Sequence, residues 1–155
     1  MSANRNQALP PAHDPKSLIW LLRRSVQRHR APMSEALRAA EFGDLPQQGM
    51  WALSALSAPA SSARDLVIRM DISKQAVAQL VDTLVALGYV ERREFPDDRR
   101  RTLLALTERG EQASAVIDRA VEETETAMAG RIGADRLEAL YRILLDVEHP
   151  DGSRV

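Results

Sequence analysis

Two groups of polar residues in the middle of the chain have the types and spacing that suit contacts with a nucleic acid. Gln75 and Gln79 are four positions apart, so on a helix they project from one face. A glutamine amide can pair with the edge of an adenine base. Further along, residues 97–101 are five consecutive charged residues that end in three arginines. A narrow DNA minor groove concentrates negative potential and attracts such side chains, so this run predicts a second DNA contact.

The elements that carry these groups are predicted to be a helix and a β-hairpin. Ser73 is a suitable N-cap, and Gly88 can supply the left-handed residue that ends the helix. Two strand-like segments, 90–95 and 102–107, then flank the charged turn. A helix followed by a hairpin with a basic tip is the layout of a winged helix.

A shorter helix is predicted just before the first one, because Ser62 and Asp65 have the spacing of a capping box. The two helices and the tight turn between them have the size of a helix-turn-helix. Ser73 and Lys74 lie at a helix N-terminus, where phosphate binds favourably. The predicted DNA-binding residues are Ser62, Arg64, Ser73, Lys74, Gln75, Ala78 and Gln79 on the helices, and Asp98, Arg99, Arg100 and Arg101 on the wing. The alternative is that both polar groups are solvated surface, but the helix and the hairpin in series favour the winged helix.

Longer helices are predicted on both sides of this lobe. The first starts at Asp14 and Pro15 and has apolar residues at helical spacing, and Pro32 is expected to kink or split it. The next begins near Pro46, with Met50, Trp51, Leu53 and Leu56 as its apolar set. Thr107 should cap a long fifth helix that Gly130 and Gly133 break, and a sixth helix follows with a stripe of leucines.

Composition narrows the function classes. The formal net charge is only -1, but residues 23–38 contain five arginines and one glutamate, whereas residues 108–148 contain ten acidic residues and five arginines. A basic region can therefore meet DNA while an acidic one faces elsewhere. The chain has no cysteine, no signal-peptide pattern and no apolar run of membrane-spanning length, so we expect a cytoplasmic protein without a membrane partner.

An enzyme and a metalloprotein are the competing classes. The sequence contains no nucleophile elbow, no phosphate-binding glycine-rich loop and no His-Glu helix motif. His13, His29 and His149 lack the spacing of metal ligands. We therefore expect no catalytic residues, no metal and no cofactor. A winged helix that serves only protein contacts remains an alternative, although the arginines of the wing argue against it.

The segment from Ala63 to Glu111 resembles the MarR family of bacterial winged-helix transcription factors. Asp98 and Arg100 match the family's Asp-x-Arg wing motif, and residues 106–110 match its Leu-Thr-x-x-Gly motif. Asp71 departs from the family, which commonly has glycine or another small residue at this turn. The further segments that carry the resemblance are 72–77, 80–84, 87–92 and 96–100.

The resemblance implies a mainly α fold with a small β-hairpin wing, in which a winged helix-turn-helix lobe joins a helical dimerisation body. The implied divisions are a flexible tail (1–13), an N-terminal dimerisation helix region (14–42), the DNA-binding lobe (45–110) and C-terminal dimerisation helices (111–148). The implied function is a homodimeric repressor that binds a pseudo-palindromic site on double-stranded DNA and is released by a small aromatic or anionic ligand. The residues expected near such a ligand are Trp20, His29, Met33, Met50 and Trp51, although tryptophan and methionine at helical spacing can equally be core. A constitutive DNA binder without an effector remains the other interpretation.

Overall fold

The computed structural model describes residues 17–57, 62–95 and 98–148, and in these ranges it describes all side chains except those of residues 94–102 and 148. The predicted fold class is confirmed, because the described chain is mainly helical with a single two-stranded hairpin. The elements in chain order are α1 (Leu18–Ala39), α2 (Gln47–Leu56), α3 (Ala63–Met70), α4 (Lys74–Ala86), β1 (Val90–Phe95), β2 (Asp98–Leu106), α5 (Glu108–Ile132) and α6 (Ala134–Glu148).

One hydrophobic core joins the middle of the chain. It contains the C-terminal half of α1, the buried faces of α2, α3 and α4, the base of the hairpin and the first half of α5. The largest fully buried side chains are Tyr89, Leu53, Leu66, Leu84, Val77 and Val90. The core therefore lies around the helix-turn-helix and the base of its wing.

The helix-turn-helix has the predicted caps. Ser62 and Asp65 form a reciprocal capping box at the start of α3, and the Ser73 hydroxyl accepts a hydrogen bond from the Ala76 N–H at the start of α4. Between the helices, Asp71 has a φ of 49°, in the left-handed region. Aspartate tolerates this region better than most residues, so it can occupy a turn at which the family commonly has glycine.

The second strand is longer than predicted. It begins at Asp98 instead of residue 102, so most of the charged segment is strand rather than turn. The antiparallel register changes between the pairs Glu94–Thr102 and Phe95–Asp98, which leaves three residues, 99–101, as an insertion in β2. The three arginines thus occupy a bulge, a feature that bends a strand and redirects its side chains.

The N-terminus of α5 packs closely against the start of the hairpin. Thr107 caps α5 as predicted, since its hydroxyl oxygen accepts from the Gly110 N–H, and its own N–H donates to the Tyr89 carbonyl over 3.1 Å. A Cβ on Gly110 would lie only 2.1 Å from that carbonyl oxygen. Glycine at this position of the Leu-Thr-x-x-Gly motif therefore lets helix and hairpin touch through their backbones.

One prediction about the helices was wrong and another is narrowed. Helix α5 continues through Gly130 to end at Gly133, and α1 is not split at Pro32. Gly130 weakens the helix only locally, by its low helix propensity. Trp51 is not part of the buried face of α2, because 47% of it is exposed. The predicted start of α1, at Asp14 and Pro15, lies outside the described residues.

Large apolar side chains are exposed at the two ends of the helical framework. Residues 18–21 at the start of α1 are all exposed, as is most of the apolar stripe of α6. The exposed members are Leu18, Ile19, Trp20, Leu21 and Val26 on α1, and Leu140, Tyr141, Ile143, Leu145 and Val147 on α6. Of the helices in the described ranges, none combines the length and the hydropathy needed to cross a membrane.

Candidate nucleic-acid interface

Helix α4 has one buried and one exposed face, as its sequence pattern predicts. Its buried side is apolar and belongs to the core. Lys74, Gln75, Ala78 and Gln79 are all exposed on the other side. The helix therefore offers two amides and an ammonium group to solvent on a rigid scaffold, with a small residue between them that permits close approach.

Arg64, Lys74 and Ala78 come together along a groove between α3 and α4. The groove has a volume of about 600 Å³ and an apolar floor that includes Val67 and Val77. Arg64 and Lys74 place two positive charges at this groove, both on exposed side chains. This arrangement can neutralise phosphates on either side of a helix that enters a DNA groove.

The two predicted serines act first as helix caps. The Ser62 hydroxyl donates to the Asp65 carboxylate over 2.6 Å, and Ser62 is only partly exposed. The Ser73 hydroxyl accepts from Ala76 over 3.1 Å but is exposed, so its proton is free to point towards a phosphate. The hydrogen bond from Ser62 to Asp65, largest among several causes, holds the pKa of Asp65 below its ordinary value of 3.8.

The wing residues Asp98, Arg99, Arg100 and Arg101 lie on β2, and their side chains are outside the description. At the base of the wing, Arg92 on β1 forms an ion pair with Asp82 on α4. This arginine was not singled out in the sequence, yet it offsets the one acidic side chain of the exposed face that would repel phosphate. It also ties the wing to α4.

A second polar cluster lies behind the wing and was not predicted. The Asp44 carboxylate, in the linker between α1 and α2, accepts a hydrogen bond of 2.6 Å from the Tyr89 hydroxyl and bonds of 2.9 and 3.0 Å from Arg109 Nη2. The Arg109 guanidinium lies 4.4 Å from the centre of the Tyr89 ring, and its Nη1 donates to the Leu87 carbonyl over 2.7 Å. Phe42 packs against the Tyr89 ring with its edge, at 6.2 Å between centroids.

The ionisation of the cluster follows from these contacts. The hydrogen bond from Tyr89 contributes most to lowering the pKa of Asp44 below 3.8, and Arg109 lowers it further. Burial raises the pKa of Tyr89 to about 12, helped by its hydrogen bond to Asp44. At neutral pH the cluster is therefore a carboxylate that accepts from a neutral phenol and a guanidinium.

The residues expected near a ligand are spread over several environments. Met33 and Met50 are buried in the core, and His29 Nδ1 donates to the Ser25 carbonyl over 2.7 Å within the same helix. Trp20 is at the exposed start of α1. Trp51 lines a cavity of about 460 Å³ between α2 and α3, together with Arg69 and Gln48. Met50 lines a different and smaller cavity, so a single chain does not bring the five residues into one site.

Among the described side chains, no cluster of histidine, aspartate and glutamate has the arrangement of a metal site.

Comparisons with known proteins match the chain to transcription regulators. The model of the MarR family matches residues 44–101, which run from the α1–α2 linker into β2. A protein named as a transcriptional regulator for the hcr operon of Thauera aromatica is 33% identical over 91 residues. That match covers 54% of this chain and 55% of the relative, so it spans about half the length of each.

Solved structures share the fold over most of the chain. Bordetella bronchiseptica BpsR, studied for the regulation of its DNA binding by 6-hydroxynicotinic acid, aligns with a TM-score of 0.69 and 24% identity over 93% of this chain and 100% of that one. Streptococcus pneumoniae FabT, solved in complex with DNA, aligns with a TM-score of 0.72 and 17% identity over 84% of this chain and 92% of that one. These structures show that the chain shares their fold over most of its length, and the MarR family model matches its residues 44–101.

Proposed function

We propose that this chain is a sequence-specific DNA-binding repressor that acts in the cytoplasm as a homodimer on a pseudo-palindromic operator. The observation that carries the proposal is the exposed polar face of α4, on which Gln75 and Gln79 stand beside Lys74. A helix of this kind fits the major groove, where a glutamine amide can hydrogen-bond to the edge of an adenine. We therefore call α4 the recognition helix. FabT, which has the same fold, was solved with DNA bound.

The wing supplies the second proposed contact. Arg99, Arg100 and Arg101 fall in the β2 bulge at the end of the hairpin, beyond the ion pair that ties the wing to α4. From this position Arg100 would enter the flanking minor groove, with Asp98 orienting its guanidinium. A double-mutant cycle with Asp98→Ala and Arg100→Ala tests that role, since independent effects on operator affinity would exclude the coupling.

The homodimer is proposed from the apolar side chains outside the core. Residues 18–21 are four consecutive exposed apolar positions, and at 100° per residue they surround the helix. A helix end that is apolar all round needs cover on every side, which one neighbouring helix of the same chain cannot provide. The exposed stripe of α6 can supply such cover from a second copy, at a gain of roughly 1.5–3 kcal/mol for each large side chain fully buried.

The proposed effector is a small aromatic or anionic molecule. The cavity beside Trp51 offers an indole for stacking and the Arg69 guanidinium for a carboxylate, in a volume of about 460 Å³. The DNA binding of BpsR is regulated by 6-hydroxynicotinic acid, which has that chemistry. The DNA-binding lobe would then have two positions, one that fits the operator and one that does not. The ligand can release the operator only if it binds these two positions with different affinity.

Selection of bound sequences from a random duplex pool tests the central proposal. We expect an enriched two-fold symmetric motif whose half-sites are roughly 10 base pairs apart, and an affinity that falls steeply with salt. Affinity that does not change with salt, or a pool without an enriched motif, would contradict operator binding. Sedimentation of the same protein should give twice the 17.2 kDa chain mass.

A fluorescence titration tests the effector separately. Trp51→Phe leaves Trp20 as the single tryptophan, so comparison of the wild type with this variant assigns any fluorescence change to one of the two sites. Titration with 6-hydroxynicotinic acid and with salicylate should quench Trp51 and release labelled operator over the same concentration range. If a panel of aromatic acids changes neither signal, the proposed effector site is wrong while operator binding stands.

A further inference from the structure

Arg109 touches three structural units at once. Its guanidinium donates to the Leu87 carbonyl at the end of α4, stacks on Tyr89 at the start of the wing, and pairs with Asp44 in the linker that follows α1. Arg109 itself is the second residue of α5. One side chain thus connects the recognition helix and the wing to both long helices of the framework.

The position of Arg109 is unfavourable unless these contacts hold it. The N-terminus of a helix carries partial positive charge, so an arginine in the first turn of α5 is disfavoured, whereas Glu108 and Glu111 in the same turn are favoured. The Leu87 carbonyl lies at the opposite, negative end of α4 and attracts the guanidinium. The bonds to other elements therefore determine where Arg109 points, and its planar, multiply donating group suits three simultaneous partners.

Tyr89 connects Asp44 to the hairpin and to the start of α5. It is fully buried, and its hydroxyl reaches Asp44 while its backbone carbonyl receives the Thr107 N–H and touches Gly110. A shift of Asp44 would thus be passed through a rigid ring to the first residue of the hairpin. Packed contacts of this kind transmit displacement instead of absorbing it.

We propose that Arg109, with Asp44 and Tyr89, is a positioning residue that sets the placement of the recognition helix and wing relative to the dimer-forming helices. The inference rests on the proposed function, because a symmetric dimer must present its two recognition helices at the spacing of two half-sites. A small rotation of each lobe about the cluster of Asp44, Tyr89 and Arg109, which we call the joint, changes the distance between the two recognition helices. Arg109 is thereby a determinant of operator spacing without touching DNA.

The first test measures the joint without DNA. The chain has no cysteine, so Gln79→Cys gives a single attachment point for a spin label on each recognition helix of the dimer. Pulsed dipolar spectroscopy should show one narrow distance in this background. Adding Arg109→Lys, which keeps the charge but loses the planar stack, should replace that narrow distance by a broad distribution.

The matched control is Arg92→Lys. Arg92 also pairs with a carboxylate and joins the wing to α4, but its partner Asp82 lies within the lobe, so the control should keep the narrow distance. Asp44→Asn removes the negative charge that pairs with Arg109, so it tests the same joint independently if Arg109→Lys does not fold. Folding of every variant is checked by its circular dichroism melting curve.

The second test uses operators whose half-sites are moved apart or together by one base pair. The ratio of affinity for the best spacing to affinity for the altered spacing should fall by roughly fivefold or more in Arg109→Lys, a coupling of ordinary size. Simple destabilisation lowers the active fraction equally on every operator and leaves the ratio unchanged. A folded Arg109→Lys or Asp44→Asn with the wild-type distance and ratio would overturn the inference. A labelled Gln79→Cys protein that gives no distance between labels, or a wild-type protein that binds no symmetric operator, would instead overturn the proposed dimeric repressor, and the inference with it.

Discussion

Gly110→Ala should strongly destabilise the protein, although alanine is the better helix former. Gly110 is buried inside α5, and an added Cβ would lie 2.1 Å from the Tyr89 carbonyl oxygen and 3.3 Å from the Leu106 Cβ. A backbone carbonyl cannot rotate away like a flexible side chain. The helix and the hairpin must therefore separate at their closest contact.

The expected size follows from three contributions. Overpacking against a backbone atom costs about 3 kcal/mol, the upper end of the usual range. Separation also weakens the Thr107 N–H to Tyr89 hydrogen bond, worth about 1 kcal/mol. Alanine returns about 1 kcal/mol of helix propensity, so the free energy of unfolding should fall by about 3 kcal/mol. For a chain of this length the melting temperature should fall by about 6–12 °C.

Gly130→Ala is the matched control, because it makes the same substitution in the same helix. No atom lies within 4 Å of a Cβ at Gly130, so only the propensity gain of up to about 1 kcal/mol remains. Urea unfolding followed by circular dichroism should separate the two variants by about 4 kcal/mol, at one fixed protein concentration because a dimer's stability depends on it. The reasoning is refuted if the two free energies of unfolding lie within about 0.5 kcal/mol, the scatter of an ordinary surface substitution.

Three further predictions concern DNA contact, acid stability and assembly. Gln79→Ala should cost about 1–3 kcal/mol at particular base pairs and relax the preference there, whereas Arg100→Ala should weaken binding to most sequences alike, as competition against operator variants will show. Asp44 has a lowered pKa in the folded chain, so its stabilising effect is present above the unfolded pKa of about 3.9 and is lost as the pH falls through the folded value. Asp44→Asn should therefore flatten the loss of stability below about pH 4 in urea titrations, and an unchanged slope would exclude this linkage. Leu145→Glu adds a charge to the exposed stripe of α6 and should shift sedimentation from dimer towards the 17.2 kDa chain mass; an undisturbed dimer would place the interface elsewhere.

Features encoded by neighbouring residues could be predicted from the sequence. The capping box at Ser62, the cap at Ser73 and the left-handed Gly88 each depend on residues within a few positions. The same holds for the exposed face of α4, since helical periodicity separates its buried and polar positions. Gly130 was misjudged because local propensity was allowed to decide where the packing of α5 outweighs it.

The polar cluster behind the wing could not be predicted, because its members are far apart in the chain. Asp44 and Arg109 are separated by 65 positions, so no local pattern pairs the one with the other. A weak signal exists in the sequence nonetheless. An arginine in the first turn of α5, where the helix dipole disfavours it, indicates a partner outside that helix.

Helix α1 shows why apolar pattern alone does not identify an interface. Its apolar residues look equivalent in sequence, but Met33 and Leu37 are buried in the core whereas Leu18 and Ile19 are exposed. Pro32 lies at the boundary, immediately before the first buried residue of the helix. Because the helix continues across Pro32, the exposed first turns and the buried segment belong to one element. A partner that covers the first turns is therefore connected, through α1 and the α1–α2 linker with Asp44, to the core around α4.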